Sequence, residues 1–209
     1  DYIIVSNSIM MNRLRKSGFP KSKIKLIPIG VDTKKFKRVN FTKRNEIRKS
    51  LNIKSDEFII GSFQKDGEGW GEGLSPKLIK GPDIFLKVIE NLKNKLKIKI
   101  ILTGPARGYI KKGLEEINVP YVYVYLKNYK DIAKYYNALD LYLVTSREEG
   151  GPMGMLESMA SGIPVVSTKV GMAPDLIKNN FNGLLFNTYE PIKISKEIID
   201  FIKDENLNV

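Results

Sequence analysis

From about residue 57 onward, short apolar runs alternate with helix-length amphipathic stretches. This alternation limits the fold more than any other feature of the chain. The apolar runs fall at 58–63, 98–103, 121–125, 139–144, 163–167 and 183–186. The amphipathic stretches fall at 82–94, 108–117, 130–138, 153–160, 173–178 and 191–203. An apolar run without period-two alternation is a strand buried on both faces. Strands of that kind, separated by single helices, build a parallel sheet wound on both sides. The expected fold class is therefore α/β, a doubly wound parallel sheet of Rossmann-like type. Ligands of such sheets bind beyond the carboxyl ends of the strands, so the informative residues should lie just after the apolar runs.

The first fifty residues are less regular. Residues 2–5 read as a short buried strand, and Ser6, Asn7 and Ser8 offer caps for a helix over 8–17. Residues 23–27 alternate as a strand does, and a helix over 42–50 follows Thr42. The chain begins at Asp1 without a basic leader or cleavage site, so it reads as a piece of a longer polypeptide carrying no signal peptide. No apolar run reaches membrane-spanning length, and a cytoplasmic location is expected.

Chemistry is narrowed by what is missing. The 209 residues include no cysteine and no histidine. That excludes disulfides, thiolate zinc sites, cysteine nucleophiles and Ser-His-Asp triads. Carboxylates, lysines, arginines, backbone amides and helix dipoles remain. No aspartate pair suggests a metal, and no cofactor is expected. The net charge of +12 has two readings, an anionic partner or a lysine-rich composition without functional meaning. No basic run is interleaved with aromatics, so nucleic acid is not an expected partner.

One segment stands out, Arg147-Glu148-Glu149-Gly150-Gly151-Pro152-Met153-Gly154-Met155-Leu156-Glu157, continuing through Ser158-Met159-Ala160-Ser161-Gly162-Ile163-Pro164. A buried strand ends, a polar loop turns through paired glycines, and a helix opens near Met153. Helix N-termini present unpaired amides and a partial positive charge, and glycines let a phosphate approach the backbone. Glu149 precedes the helix and Glu157 sits about one turn inside it, so both can face one ligand.

This segment resembles the Glu-x7-Glu region of the retaining, group 1 glycosyltransferases. The resemblance extends in order through Ile27-Pro28-Ile29-Gly30-Val31-Asp32, Lys80-Gly81-Pro82-Asp83, Ile101-Leu102-Thr103-Gly104, Tyr135-Tyr136-Asn137-Ala138-Leu139-Asp140 and Asn182-Gly183-Leu184-Leu185-Phe186. It implies the C-terminal half of a two-domain GT-B fold. Residues 1–22 would be a remnant or linker from the N-terminal side and 23–209 the donor-binding domain. By resemblance, Glu157 would bind the ribose hydroxyls of a nucleotide-sugar donor and Glu149 the sugar hydroxyls. Amides near Gly150, Gly151, Met153 and Gly154 would hold the pyrophosphate, Lys80 would neutralise it, and the base would lie near Leu126. Glu149 and Lys80 are the implied catalytic residues.

The implied reaction is sugar transfer, with retention and without a metal, from a nucleoside diphosphate to a carbohydrate or lipid-linked acceptor. The acceptor site would come mainly from the missing N-terminal domain. Peripheral contact with a membrane is compatible with such an acceptor. An epimerase or phosphorylase of the same fold, and a non-catalytic nucleotide-sugar-binding domain, are the alternatives.

Two departures from the family pattern matter. The Gly-Arg usual after the first strand is absent, and Lys65 is the candidate replacement, a charge without the bidentate fork. Pro152 replaces a glycine and removes one amide donor, though helix position N1 would suit it. Between Lys65 and Lys80 lies a glycine-rich insertion over 67–73 carrying the only tryptophan, Trp70. It reads equally as an apolar platform or a flexible lid.

Overall fold

A computed structural model describes residues 1–203. The expected end of the donor-binding domain, residues 204–209, lies outside the described residues. The chain runs β1 (Ile3–Val5), α1 (Ser8–Lys16), β2 (Ile24–Leu26), α2 (Phe41–Ser50), β3 (Phe58–Phe63), α3 (Pro82–Leu92), β4 (Ile98–Thr103) and α4 (Gly108–Glu116). It continues β5 (Tyr121–Val124), α5 (Ile132–Tyr136), β6 (Leu141–Val144), α6 (Met153–Ala160), β7 (Val165–Thr168), α7 (Ala173–Leu176), β8 (Gly183–Phe186) and α8 (Pro191–Lys203).

Six strands form one wholly parallel sheet in the order β5-β4-β3-β6-β7-β8. Successive residues of the strands enter opposite cores, as the unalternated apolar runs require. Ile59, Ile101, Tyr142 and Val165 pack with α5 and α6 on one face. Ile60, Ile100, Leu143 and Val166 pack with α3, α4 and α8 on the other. The chain winds outward from β3 in one direction and from β6 in the other. The gap between the carboxyl ends of β3 and β6 is therefore the topological switch point, where doubly wound sheets bind ligands.

Three expectations are corrected. The run over 139–144 becomes strand only from Leu141, because the Asp140 carboxylate is captured by Arg44 (2.6 Å) and Arg48 (3.1 Å) and accepts from the Ile59 amide (2.7 Å). The run over 163–167 becomes strand from Val165, since Pro164 has no amide to donate. Residues 2–5 are not a buried strand. β1 pairs only with β2, in a separate two-stranded sheet, and Ile4 is 66% exposed.

This β1-α1-β2 unit still touches the larger domain at one place of consequence. The Ser6 hydroxyl (3.2 Å) and the Asn7 amide (2.5 Å) donate to the Gly150 carbonyl, and the Ser8 amide donates to Asp175 (2.8 Å).

Candidate functional site

The loop after β6 is welded to the segment before α3. Thr145 donates its hydroxyl to the Gly81 carbonyl (2.8 Å), and the Arg147 amide donates to the Ile79 carbonyl (2.8 Å). Arg147 grips Asp83 with both terminal nitrogens, at 2.8 and 2.7 Å. Gly81 caps α3 in the left-handed region (φ 65°), and a Cβ there would overlap the Thr145 carbonyl. Only glycine fits this close approach.

The weld brings Lys80 to Glu149. The Lys80 ammonium donates to Glu149 Oε1 at 2.7 Å, and the Ser146 hydroxyl donates to the same oxygen at 2.9 Å. Among the described residues nothing donates to Glu149 Oε2, so the carboxylate is anchored by one oxygen and offers the other. Glu149 does not cap α6: the cap residue is Pro152, and no side chain bonds there. Pro152 thus sits one residue earlier than helix position N1. The Met155 amide bonds the Pro152 carbonyl (3.0 Å), while the Met153 and Gly154 amides have no backbone partner among the described residues.

Glu157 repeats the arrangement from within α6. It is 2% exposed, which rules out a solvated helix carboxylate. Its Oε2 accepts from the Tyr136 hydroxyl at 2.6 Å, while Oε1 is buried without a partner among the described residues. Burial raises the Glu157 carboxyl to about 7, and nearby Lys35 pulls in the other direction. Burial also pushes Tyr142 up to about 12 and Tyr136 well above the usual phenol range, so both hydroxyls stay protonated. Gly154 lies against them, and a Cβ there would overlap the Tyr142 hydroxyl.

The other expected site residues fall as follows. Gly150 lines the same cleft as Lys80 and Glu149. Gly151 is packed so that a Cβ would meet the Ile29 side chain at 2.6 Å. Leu126, just past β5, packs against the apolar cluster that holds Tyr136 and Phe36. Lys65 is outside the cleft lining. Its ammonium stands 3.7 Å over the Trp70 ring, whose residue is 84% exposed. Among the described residues no group of three acidic side chains is placed to hold a metal.

The glycine-rich insertion is tied down at its base. The Glu68 amide bonds the Ser75 carbonyl, and the Lys77 amide bonds the Asp66 carbonyl. The Gly108 and Tyr109 amides at the start of α4 donate to the carbonyls of Glu72 and Gly73, both at 2.8 Å. The insertion thereby caps α4 and closes that helix N-terminus to anions.

Its root is the buried ion pair of Asp66 and Arg107, 3.0 Å apart through Oδ1 and Nε. The Arg107 fork also donates to the carbonyls of Ser62 (2.7 Å), Gln64 (2.6 Å) and Thr103 (2.9 Å). An arginine so engaged and fully buried is not available to a phosphate. Desolvation raises the Asp66 carboxyl to about 6 despite the guanidinium. Asp66→Ala would leave Arg107 buried without a counter-charge, at a cost of about 3–5 kcal/mol. A urea unfolding midpoint that does not move would show that the pair contributes nothing.

Sequence reasoning missed Asp66, Arg107, Tyr136, Tyr142 and Ser146 as parts of this assembly. The one available signal was a lone arginine in Gly104-Pro105-Ala106-Arg107-Gly108, directly after a strand.

The fold and the placement of these groups define a class: a doubly wound α/β domain with a helix N-terminus after β6 that no side chain caps, and with two half-engaged carboxylates, one on the loop before that helix and one within it. Comparison with known proteins is specific. The chain belongs to the family described as glycosyl transferases group 1, whose model matches residues 43–209.

An uncharacterized glycosyltransferase of Methanocaldococcus jannaschii is 27% identical over 61% of this chain and 36% of its own length. A D-inositol 3-phosphate glycosyltransferase of Segniliparus rotundus is 26% identical over 86% of this chain and 39% of its own. Among solved structures, Anabaena HepE in complex with UDP-glucose superposes with a TM-score of 0.78 at 21% identity, over 97% of this chain and 54% of that one. WaaG, a glycosyltransferase of lipopolysaccharide biosynthesis, superposes with a TM-score of 0.76 at 16% identity, over 95% and 53%. The fold is thus about half of GT-B, the C-terminal half. The chain spans roughly a third to a half of the length of the relatives it matches.

Proposed function

We propose that this chain binds the nucleoside-diphosphate-sugar donor of a retaining glycosyltransferase. The observation that carries the reading is the pair of glutamates. Each is anchored through one oxygen and unpaired at the other among the described residues, one before and one after the first amides of α6 at the switch point. Glu157 Oε1 would accept from the ribose hydroxyls and Glu149 Oε2 from the sugar. The amides of Met153 and Gly154, the backbone at Gly150 and Gly151, and Lys80 would face the diphosphate. Leu126 would offer backbone groups to the base. Lys65 would stand at the mouth of the site with Trp70.

In the reaction the bond from the anomeric carbon to the diphosphate oxygen breaks and its electron pair leaves with the diphosphate. The acceptor oxygen bonds the anomeric carbon on the same face, and its proton passes to the departing phosphate. Charge grows on the diphosphate, and preorganised donors aimed at that charge lower the barrier. No metal is needed where Lys80 and the helix amides supply the compensating charge.

Residues 1–22 would be the remnant of a preceding domain that supplies most of the acceptor site, and 23–209 the donor-binding domain, with β2 at its margin. Such a chain binds nucleotide weakly and does not turn over alone. Among the described residues no helix is long and apolar enough to cross a membrane. A cytoplasmic protein, peripheral at the inner membrane face, fits a lipid-linked acceptor.

The test is calorimetric titration with UDP, GDP and ADP, joined to product analysis of the full-length protein. Saturable binding of one nucleotide and a new glycoside with the donor's anomeric configuration are expected. An isomerised donor or a sugar phosphate would instead mean an epimerase or a phosphorylase. Binding without any turnover by the full-length protein would leave a binding domain.

A further inference from the structure

Beyond the Lys80–Glu149 pair, a cleft of about 340 Å³ continues to α1. Its lining comes from α1, from residues 77–80, from the loop after β6 and from the loop after β7. Ile9, Met10, Ile79 and Val170 make much of the wall apolar. Five cationic side chains line it, Arg13, Lys77, Lys80, Arg147 and Lys169, against two carboxylates, Glu148 and Glu149.

Three of the cations are already matched: Arg13 with Glu148, Lys80 with Glu149 and Arg147 with Asp83. Lys77 and Lys169 are exposed and have no ion pair among the described residues. They approach from different loops, yet both line the one cleft. Clefts with one sign of charge in excess and low-dielectric walls focus the field and concentrate ions of the opposite sign.

The donor does not use up this charge. In the donor reading, on which this inference rests, the nucleotide lies along α6 from Glu157 to Glu149, and its diphosphate meets helix amides and Lys80. Glu157, Met153 and Gly154 are not part of the cleft lining. Lys77, Lys169 and Arg13 line the cleft together with Lys80 and Glu149, and this is where a sugar acceptor would enter.

We propose that the cleft between α1 and the loops after β3, β6 and β7 is an oxyanion subsite for the acceptor. The acceptor carries a phosphate or carboxylate group, held by Lys77 and Lys169 while its hydroxyl points toward the Lys80–Glu149 pair. Each of these lining residues belongs to this chain, and the test is made on the full-length protein.

The protein, saturated with UDP, would be titrated with inorganic phosphate and separately with acetate. Ionic strength is held constant, and backbone amide shifts are followed. Saturable phosphate binding should move the amides of Lys77, Lys169 and Gly171. The Lys77→Ala/Lys169→Ala variant should weaken it at least ten-fold. The Lys95→Ala/Lys203→Ala variant removes the same charge from surfaces outside the cleft and should leave binding within two-fold. Phosphate stronger than acetate identifies a phosphate-bearing acceptor, and the reverse order a carboxylate-bearing one.

Three outcomes would overturn the subsite: no saturation with or without UDP, equal loss in both variants, or saturable phosphate binding that appears only when UDP is absent, which would give these lysines to the donor. If UDP itself fails to bind, the donor reading falls. The phosphate titration of the free protein then still decides whether Lys77 and Lys169 form an anion site.

Discussion

Glu157→Ala is expected to weaken binding of the preferred nucleotide by about 10- to 100-fold, the loss of roughly 1.5–3 kcal/mol that attends a hydrogen bond to a charged group. The expectation follows from one buried oxygen. Among the described residues Oε1 has no partner, and a buried acceptor left unsatisfied is costly. A ligand hydroxyl that reaches it removes the cost.

The same residue sets a pH dependence. In the free protein burial raises the carboxyl from its ordinary 4.5 to about 7. A raised carboxyl pKa means that its contribution to folding stability is fully present below about 4.5 and is lost as pH rises through about 7. A ribose that donates hydrogen bonds favours the ionised form, so binding releases a proton. Affinity should therefore climb with pH up to about 7 and then level off. A nucleotide sugar suits the measurement, because its diphosphate is esterified at both ends and does not titrate in this window. Glu157→Gln should bind more weakly and with no slope. A flat profile in the unaltered protein, or an unchanged slope in the glutamine variant, would remove Glu157 from the ribose.

Glu157 also shows where sequence reasoning reached its end. Its place in a helix opening after a buried strand was legible, since both periodicities are local. Its half-satisfied state was not. That depends on Tyr136, 21 residues earlier, and nothing in a tyrosine's immediate neighbours says where its hydroxyl will point.

The Lys80–Glu149 contact spans 69 residues; resemblance to a family put the two residues at one donor site, but neither it nor spacing suggested that they touch. The sheet was legible strand by strand because burial on both faces writes a continuous apolar run. Strand ends were less so, because partners remote in sequence decide them, as Arg44 and Arg48 do for Asp140. The insertion after β3 reads from its sequence equally as an apolar platform or a flexible lid. It is anchored because its carbonyls cap α4, and backbone-to-backbone contacts leave no mark in side-chain identity. Arg107, which completes that anchor, is a charge that composition would place on the surface.

Lys80→Ala is expected to lower kcat of the full-length enzyme by roughly 100- to 1,000-fold, the range found when one preorganised donor to a developing charge is removed. Two explanations of such a loss make different predictions. If Lys80 serves only to hold Glu149, the damage comes from a carboxylate whose side chain is 9% exposed and left with Ser146 alone. Removing that charge as well, in Lys80→Ala/Glu149→Gln, should then restore much of the rate. If Lys80 neutralises the departing diphosphate, the double variant stays as slow as Lys80→Ala or slower.

The geometry favours the second outcome. Glu149 has an independent anchor in Ser146, at 2.9 Å on the same oxygen, so its position does not depend on the lysine. The loop that carries it is fixed separately by the Arg147–Asp83 fork. Glu149→Gln alone keeps the shape and both anchoring contacts in altered form. Its cost should appear mainly as discrimination among donor sugars, read as kcat/KM ratios between epimers that differ at one hydroxyl. A rate-restoring double variant would make Lys80 a positioning residue. The leaving charge would then rest on the α6 amides alone.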